Sequence, residues 1–166
     1  MGYLNYVRQA VKAYTWKYEG EMSVEGSALT TDKSAATAHA LTSTTFVRIQ
    51  PNENTVSLEL RFRVNGTANL DDVVNLYAMA GNSDHYTLMG TLTLTAGTQT
   101  DGTYLFCDGI EIANELWIDD IVTLHDESSA GNGIGRVCFN TQGYNNFLLV
   151  VTDLDNTAIR VDSRRI

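Results

Sequence analysis

Carboxylates make up most of what could do chemistry in this chain, and they fall into two groupings. Asp71, Asp72, Asp84 and His85 flank the apolar stretch 73–79. That stretch reads as a strand, and the two ends of a strand point apart, so a shared metal would need a further element to unite them. Asp119 and Asp120, with Asp126 and Glu127, are loop carboxylates offering the oxygen ligands that Ca²⁺ prefers. The spacing of an EF-hand, D-x-[DN]-x-[DN]-G with a distant Glu, does not occur. These four are the Ca²⁺ candidates, and the expectation is that no metal is bound.

Other reactive patterns are incomplete. Gly131-Asn132-Gly133-Ile134-Gly135 looks like a phosphate loop, but such a loop needs a strand before it and a helix after it. Here a strand-like run, 136–140, follows. No G-x-S-x-G elbow is present. Cys107 and Cys138 lie in apolar strand-like runs rather than at a helix start that would activate a thiol, and are expected as reduced core thiols. A disulfide between them depends on distances. The His residues are scattered without an H-x-x-x-H pair, and His39 stands alone in a loop. A carboxylate pair for glycoside hydrolysis is defined by spatial separation, which linear spacing does not fix. The reading is a non-enzyme with no cofactor.

The elements that would position any site are strands. The 166 residues suit one domain with a full core, and 43% hydrophobic with 19% charged residues describes a globular chain. Thr, Asn and Gly are abundant and Pro51 is the single proline, a mixture that suits strands joined by turns. No stretch nears the roughly 18 apolar residues of a membrane span. Arg8 and Lys12 interrupt any apolar signal-peptide core, and Tyr6 stands where a myristoylation signal wants Ser or Thr. No membrane association is expected, and the chain reads as made and kept in the cytosol unless it leaves inside a particle.

Charge is uneven. The net charge is −9, and between Asn65 and Gly135 there is no Lys or Arg against eleven Asp and Glu. Basic residues gather at the start, on the early strands (Arg48, Arg61, Arg63) and at the end (Arg160, Arg164, Arg165). An acidic bulk argues against nucleic-acid binding. The split suits head-to-tail contact between copies, and it equally suits plain solubility.

Along the chain, residues 3–14 have helical spacing, with Tyr3, Val7, Ala10, Val11 and Tyr14 on one side. Tyr3, Tyr6, Tyr14, Trp16 and Tyr18 crowd the start and are candidate interface anchors on a neighbouring subunit; the plainer reading packs them over their own domain. Residues 23–44 are rich in Ser, Thr, Ala and Gly and read as a long connection, with one weak strand or helical turn, that covers a sheet edge or reaches a partner. Residues 1–43 thus form an arm and connection, and 44–166 a β-sandwich. Its cleanest alternation is 56–64, with Val56, Leu58, Leu60, Phe62 and Val64 inward and a solvated Glu59–Arg61–Arg63 row outward. The central hairpin spans 85–108, with Tyr86, Leu88, Leu92 and Leu94 on one face and Tyr104, Phe106, Ile110 and Ile112 continuing it, Asp101-Gly102 being a candidate turn. Residues 117–124 make a further strand or two, and 146–153, nearly all apolar, belongs mid-sheet. The fold class is an all-β antiparallel sandwich of eight to ten strands, jelly-roll or galactose-binding-like.

In style, RIQPNENTVSLELRFRV (48–64), the Thr-rich GTLTLTAGTQTDGT (90–103) and the retained Met1 resemble the small β-sandwich decoration and accessory proteins of tailed bacteriophages. The resemblance covers 44–162 and rests on no diagnostic motif. It implies a non-catalytic homo-oligomer fixed to the capsid by arms and edge strands, with the major capsid protein or other virion proteins as partners and the virion as its location. The alternative is a carbohydrate-binding module, using Trp117, Tyr144, Asn145 and Asn146, with Trp16 as an outlying candidate and core packing the plainer role for Trp117.

Overall fold

Period-two alternation is the dominant signal in the chain, and in the computed structural model it builds ten strands among the described residues. Those residues are 15–29, 33–52, 54–81, 83–114, 122–125 and 134–165; for His39 and 122–125 the description is of the backbone alone. The strands are β1 (Lys17–Met22), β2 (Phe46–Ile49), β3 (Ser57–Asn65), β4 (Asp71–Met79), β5 (Thr87–Asp101), β6 (Tyr104–Ala113), β7 (Val122–His125), β8 (Arg136–Asn140), β9 (Asn146–Leu154) and β10 (Ala158–Arg165). One short helix, α1 (Ala35–His39), interrupts them.

All the ladders are antiparallel. One sheet runs β1-β10-β3-β8-β7 and the other β6-β5-β4-β9-β2. Without β6 and β7 the order is β1-β10-β3-β8 against β2-β9-β4-β5, which is the strand order of a jelly roll. β6 and β7, which lie between β5 and β8 in the chain, widen each sheet by one strand. The sheets join where Arg63 and Val64 of β3 pair with Phe106 and Leu105 of β6. At the opposite seam β1 and β2 approach without a ladder, close enough that a Cβ on Gly20 would lie 3.0 Å from Val47 Cγ2. The result is a nearly closed sandwich. β1 belongs to it, so the sandwich begins well before residue 44.

The inner faces supply the core. Leu58, Leu60, Phe62 and Val64 of β3 face Val74 and Leu76 of β4 and Phe147, Leu149 and Val151 of β9, all buried. Phe139 meets Phe147 edge to face, with ring centroids 5.2 Å apart. Val56, expected at the head of this row, precedes β3 and is 65% exposed.

Bulges overturn two expected faces. Opposite β4 the register of β5 shifts at Gly90, so Met89 turns into the core while Tyr86 and Leu88 turn to the other face. A second shift between Thr95 and Ala96 sends Cys107 inward and leaves Phe106 outward, whereas Ile110 and Ile112 face the core. A bulge inserts one residue and so reverses parity beyond it. The turn falls at Gly102, in the left-handed region at φ 66°, as Asp101-Gly102 suggests.

The long connection covers a sheet face rather than an edge. Leu29, Ala38 and Tyr86 bury Tyr77, Met79, Leu148 and Val150, on the outer side of β4 and β9. Ser34 caps α1 by accepting from Thr37 N at 3.2 Å, and Leu29 N donates to Tyr77 Oη at 3.0 Å. Ala-rich composition is what allows this: Ala38, with no atom beyond Cβ, is fully buried against the sheet.

One buried polar clamp ties two turns at one end. Asp72 is wholly buried and accepts from Asn156 N at 3.0 Å and Nδ2 at 2.8 Å, while Asn156 Oδ1 accepts from Thr67 N at 2.8 Å. Burial raises the Asp72 carboxyl above the usual Asp range, against the pull of the Asn156 donors. A raised carboxyl contributes stability that is full below the unfolded value, about 3.9, and is lost as pH rises through the folded value. In urea unfolding, the stability of wild type relative to Asp72→Asn should therefore be highest below about pH 4 and fall toward neutrality. Asn156→Ala, which removes the Nδ2 donor to Asp72 and the Oδ1 acceptor of Thr67 N but keeps the backbone N–H, should cost about 1–3 kcal/mol at pH 7.

Candidate functional site: two opposed sheet faces

The outer face of the β1-β10-β3-β8 sheet is laid out by register. Trp16 precedes β1 and stacks near Arg164, which pairs with Glu59, which pairs with Cys138. In the next row Tyr18, Asp162, Arg61 and Arg136 are neighbours, and beyond it Glu21, Arg160, Arg63 and Phe106. Opposite charges thus meet across the β3–β10 ladder in the first two rows.

Asp162 is the hub. Its Oδ2 accepts from Arg63 Nη2 at 2.7 Å and Nε at 3.0 Å and from Arg61 Nη2 at 3.3 Å, and its Oδ1 lies 3.6 Å from Arg160 Nε. Glu59 pairs with Arg164 and lies 3.5 Å from Arg136 Nη1; Arg63 also pairs with Asp101. The side chains of Glu59, Asp162 and Arg63 are only 4%, 3% and 7% exposed. The Glu59–Arg61–Arg63 row, expected to be solvated, is therefore a desolvated ion network. Burial lowers the Arg61 guanidinium from its usual value, and Asp162 opposes that shift.

Aromatic rings lie among the guanidinium groups. Arg61 Cζ is 4.4 Å and Arg164 Cζ 4.6 Å from the Trp16 ring, and Arg160 Cζ is 4.4 Å from the Tyr18 ring. Phe106 lies 5.7 Å from Arg61, and Tyr104 Oη donates to Glu21 at 2.5 Å. The pattern anchors the segment entering β1 on its own domain. Of the five aromatic anchor candidates, Trp16 and Tyr18 sit here, with Tyr18 half exposed. Tyr3, Tyr6 and Tyr14 lie outside the described residues.

The opposite outer face, on β6-β5-β4-β9, has another character. Glu111, Thr93, Val73 and Asp153 form one row and Asp71 and Thr95 another. Thr95 Oγ1 donates to Asp71 at 2.6 Å and Thr91 Oγ1 to Asn75 at 2.9 Å. Asp71, Glu111 and Asp153 are exposed, and the cluster beneath α1 stops at Tyr77 and Val150.

The remaining candidates are dispersed. Asp71 and Asp72 point to opposite sides of β4, and among the described residues the Asp84 carboxylate meets His85 Nδ1, at 2.5 Å on the surface. Among the described residues no group of three or more His, Cys, Asp or Glu could hold a metal ion. Asp119, Asp120, Asp126 and Glu127 lie outside them, as does Trp117. Of the sugar candidates, Tyr144 packs half-buried against the core, Asn145 lies against Gly81, and Asn146 Oδ1 accepts from Tyr86 Oη at 3.4 Å. A polar cleft of about 150 Å³ opens at the end of the β1–β2 seam, where Ser163 Oγ and Lys17 Nζ both donate to Glu19, at 2.6 and 2.9 Å.

Both cysteines are free thiols, but only Cys107 is in the core; Cys138 lies on the charged face beside Glu59. Burial, then the charges of Asp72 and Asp108, pushes the Cys107 thiol far up; burial and Glu59 push that of Cys138 up to about 12.

A scan against models of known protein families finds no match to the chain, and a search of curated proteins finds none either.

Two outcomes follow from this geometry. Iodoacetamide at pH 8 should leave both thiols unmodified in the native protein and label both in denaturant, read by intact mass. Asp162→Ala leaves Arg61 and Arg63 facing each other with their shared carboxylate gone, and should cost about 3–5 kcal/mol in chemical unfolding.

Proposed function

We propose that this chain is a non-catalytic structural subunit of a virion, a decorating or stabilising protein of the capsid that acts through contacts between subunits. The observation that carries the reading is the opposition of the two outer faces. One is laid with arginines and aromatic rings at the point where the N-terminal segment enters; the other, over β4–β6, is threonine and carboxylate, with Arg48 of β2 set at its far, covered end. Two unlike faces on opposite sides of a flat sandwich suit a heterologous, head-to-tail contact, which builds rings or arrays rather than closed pairs.

The jelly-roll order adds a prior only, since that architecture serves viral capsid domains, lectins and other proteins alike. The resemblance of 48–64 and 90–103 to phage decoration proteins selects among these. A carbohydrate-binding role finds less support, because Tyr144, Asn145 and Asn146 are engaged within the fold instead of forming an open aromatic platform.

The test is co-sedimentation of the purified protein with assembled, undecorated capsids. Saturable binding at a fixed ratio to the major capsid protein is the expected result. A monomer that ignores capsids and binds immobilised glycans would overturn the proposal.

A further inference from the structure

We infer that residues 1–14 of one copy dock on the threonine–carboxylate face of a second copy, so that the N-terminal segment is the link of a head-to-tail contact. The inference rests on the structural-subunit reading above and names the two surfaces that reading needs.

Three observations lead to it. First, the receiving face offers exposed carboxylates with no ion pair among the described residues. Asp71, Glu111 and Asp153 are exposed on the outer side of β4, β6 and β9, and no Lys or Arg occurs anywhere from Asn65 to Gly135. Second, the chain's other bases are largely engaged. Five arginines (Arg61, Arg63, Arg136, Arg160 and Arg164) are ion-paired on the opposite face, and Lys17 is held by Glu19. Arg48 lies over Phe46, Arg165 lies against the Asn52 amide, and Lys33 is a single half-buried base just before α1. Residues 1–14, in contrast, carry Arg8 and Lys12 and no Asp or Glu. They are the basic stretch that complements the face, and Tyr3, Tyr6 and Tyr14 bring contact area with it.

Third, the segment departs from the arginine-bearing face, where Trp16 stacks on Arg61 and Arg164. In a head-to-tail stack the next copy's threonine face lies against that face. Fourteen residues reach at most about 50 Å, enough for such a neighbour and also for the chain's own far face; self-association, which only the first produces, separates the two.

Charge reversal in the full-length chain tests this. One variant carries Arg8→Glu with Lys12→Glu, and the other Glu111→Lys with Asp153→Lys, where Glu111 and Asp153 are exposed. By sedimentation velocity at low salt, wild type should self-associate, each variant alone should associate at least tenfold more weakly, and an equimolar mixture should recover hetero-association. Circular dichroism confirms that each variant is folded. Variants that associate like wild type, or a mixture that fails to recover, would overturn the inference; so would a wild-type chain that stays monomeric at high concentration. Capsid co-sedimentation of the same proteins separates the two levels: wild-type binding with silent charge reversals removes the arm–face contact and leaves the structural role standing.

Discussion

A carboxylate taken out of water must be met by cations or by hydrogen-bond donors, and the β1-β10-β3-β8 sheet is arranged around that demand at Asp162, where cations meet it. Three arginines converge on it, Arg160 from its own strand and Arg61 and Arg63 from β3, and the latter two could not be placed without the β3–β10 register. Register in turn is fixed by the core: a slip of one residue would drive Arg61 and Arg63 inside and Leu60 and Phe62 out. The apolar and ionic sides of the same ladder therefore enforce one another. Buried ion networks add little net stability over apolar packing, but they penalise alternatives heavily, which fits a role in specifying this pairing.

The opposite sheet solves its outer face differently. The end of it that carries Tyr77, Met79, Leu148 and Val150 is covered by a connection poor in large side chains, whose Ala38 and Leu29 come close enough to bury Tyr77 and Leu148. The other end, with Asp71, Val73 and Asp153 beside β5 and β6, is left to threonines and carboxylates. The division is made by the bulge at Gly90, which turns Leu88 and Tyr86 toward α1 while Thr91 and Thr93 stay on the open side. One inserted residue thus sets the boundary between covered and uncovered surface.

Much of this was legible in the sequence because it is local. Alternation in β3 and the apolar run of β9 announce their positions directly, and the strand count falls within the range the turns suggest. What escaped is non-local or reverses parity. Glu59, Arg61 and Arg63 look like any wet sheet face until Arg164, Asp162 and Arg160 are set against them, about a hundred residues later. Read antiparallel, the two segments are complementary in charge at Arg164–Glu59 and Asp162–Arg61, a signal usable only by a reader who already pairs them. Trp16 and Tyr18 were legible as anchors, but their rings engage arginines of their own chain. Short α1 has too few residues for a periodic signal.

The distance in sequence between Arg61 and Asp162, 101 residues, also sets a clock. At synthesis rates of about 5–20 residues per second, roughly 5–20 s pass between the emergence of β3 and that of β10. During that interval β3 can collapse with β4, β5 and β6, but its charged side stays in water, where its charges are at no cost. Desolvation falls on these residues only when β10 arrives with the compensating charges already spaced along it. The last strand described is therefore the latch of the molecule, and the nascent chain waits open until it closes.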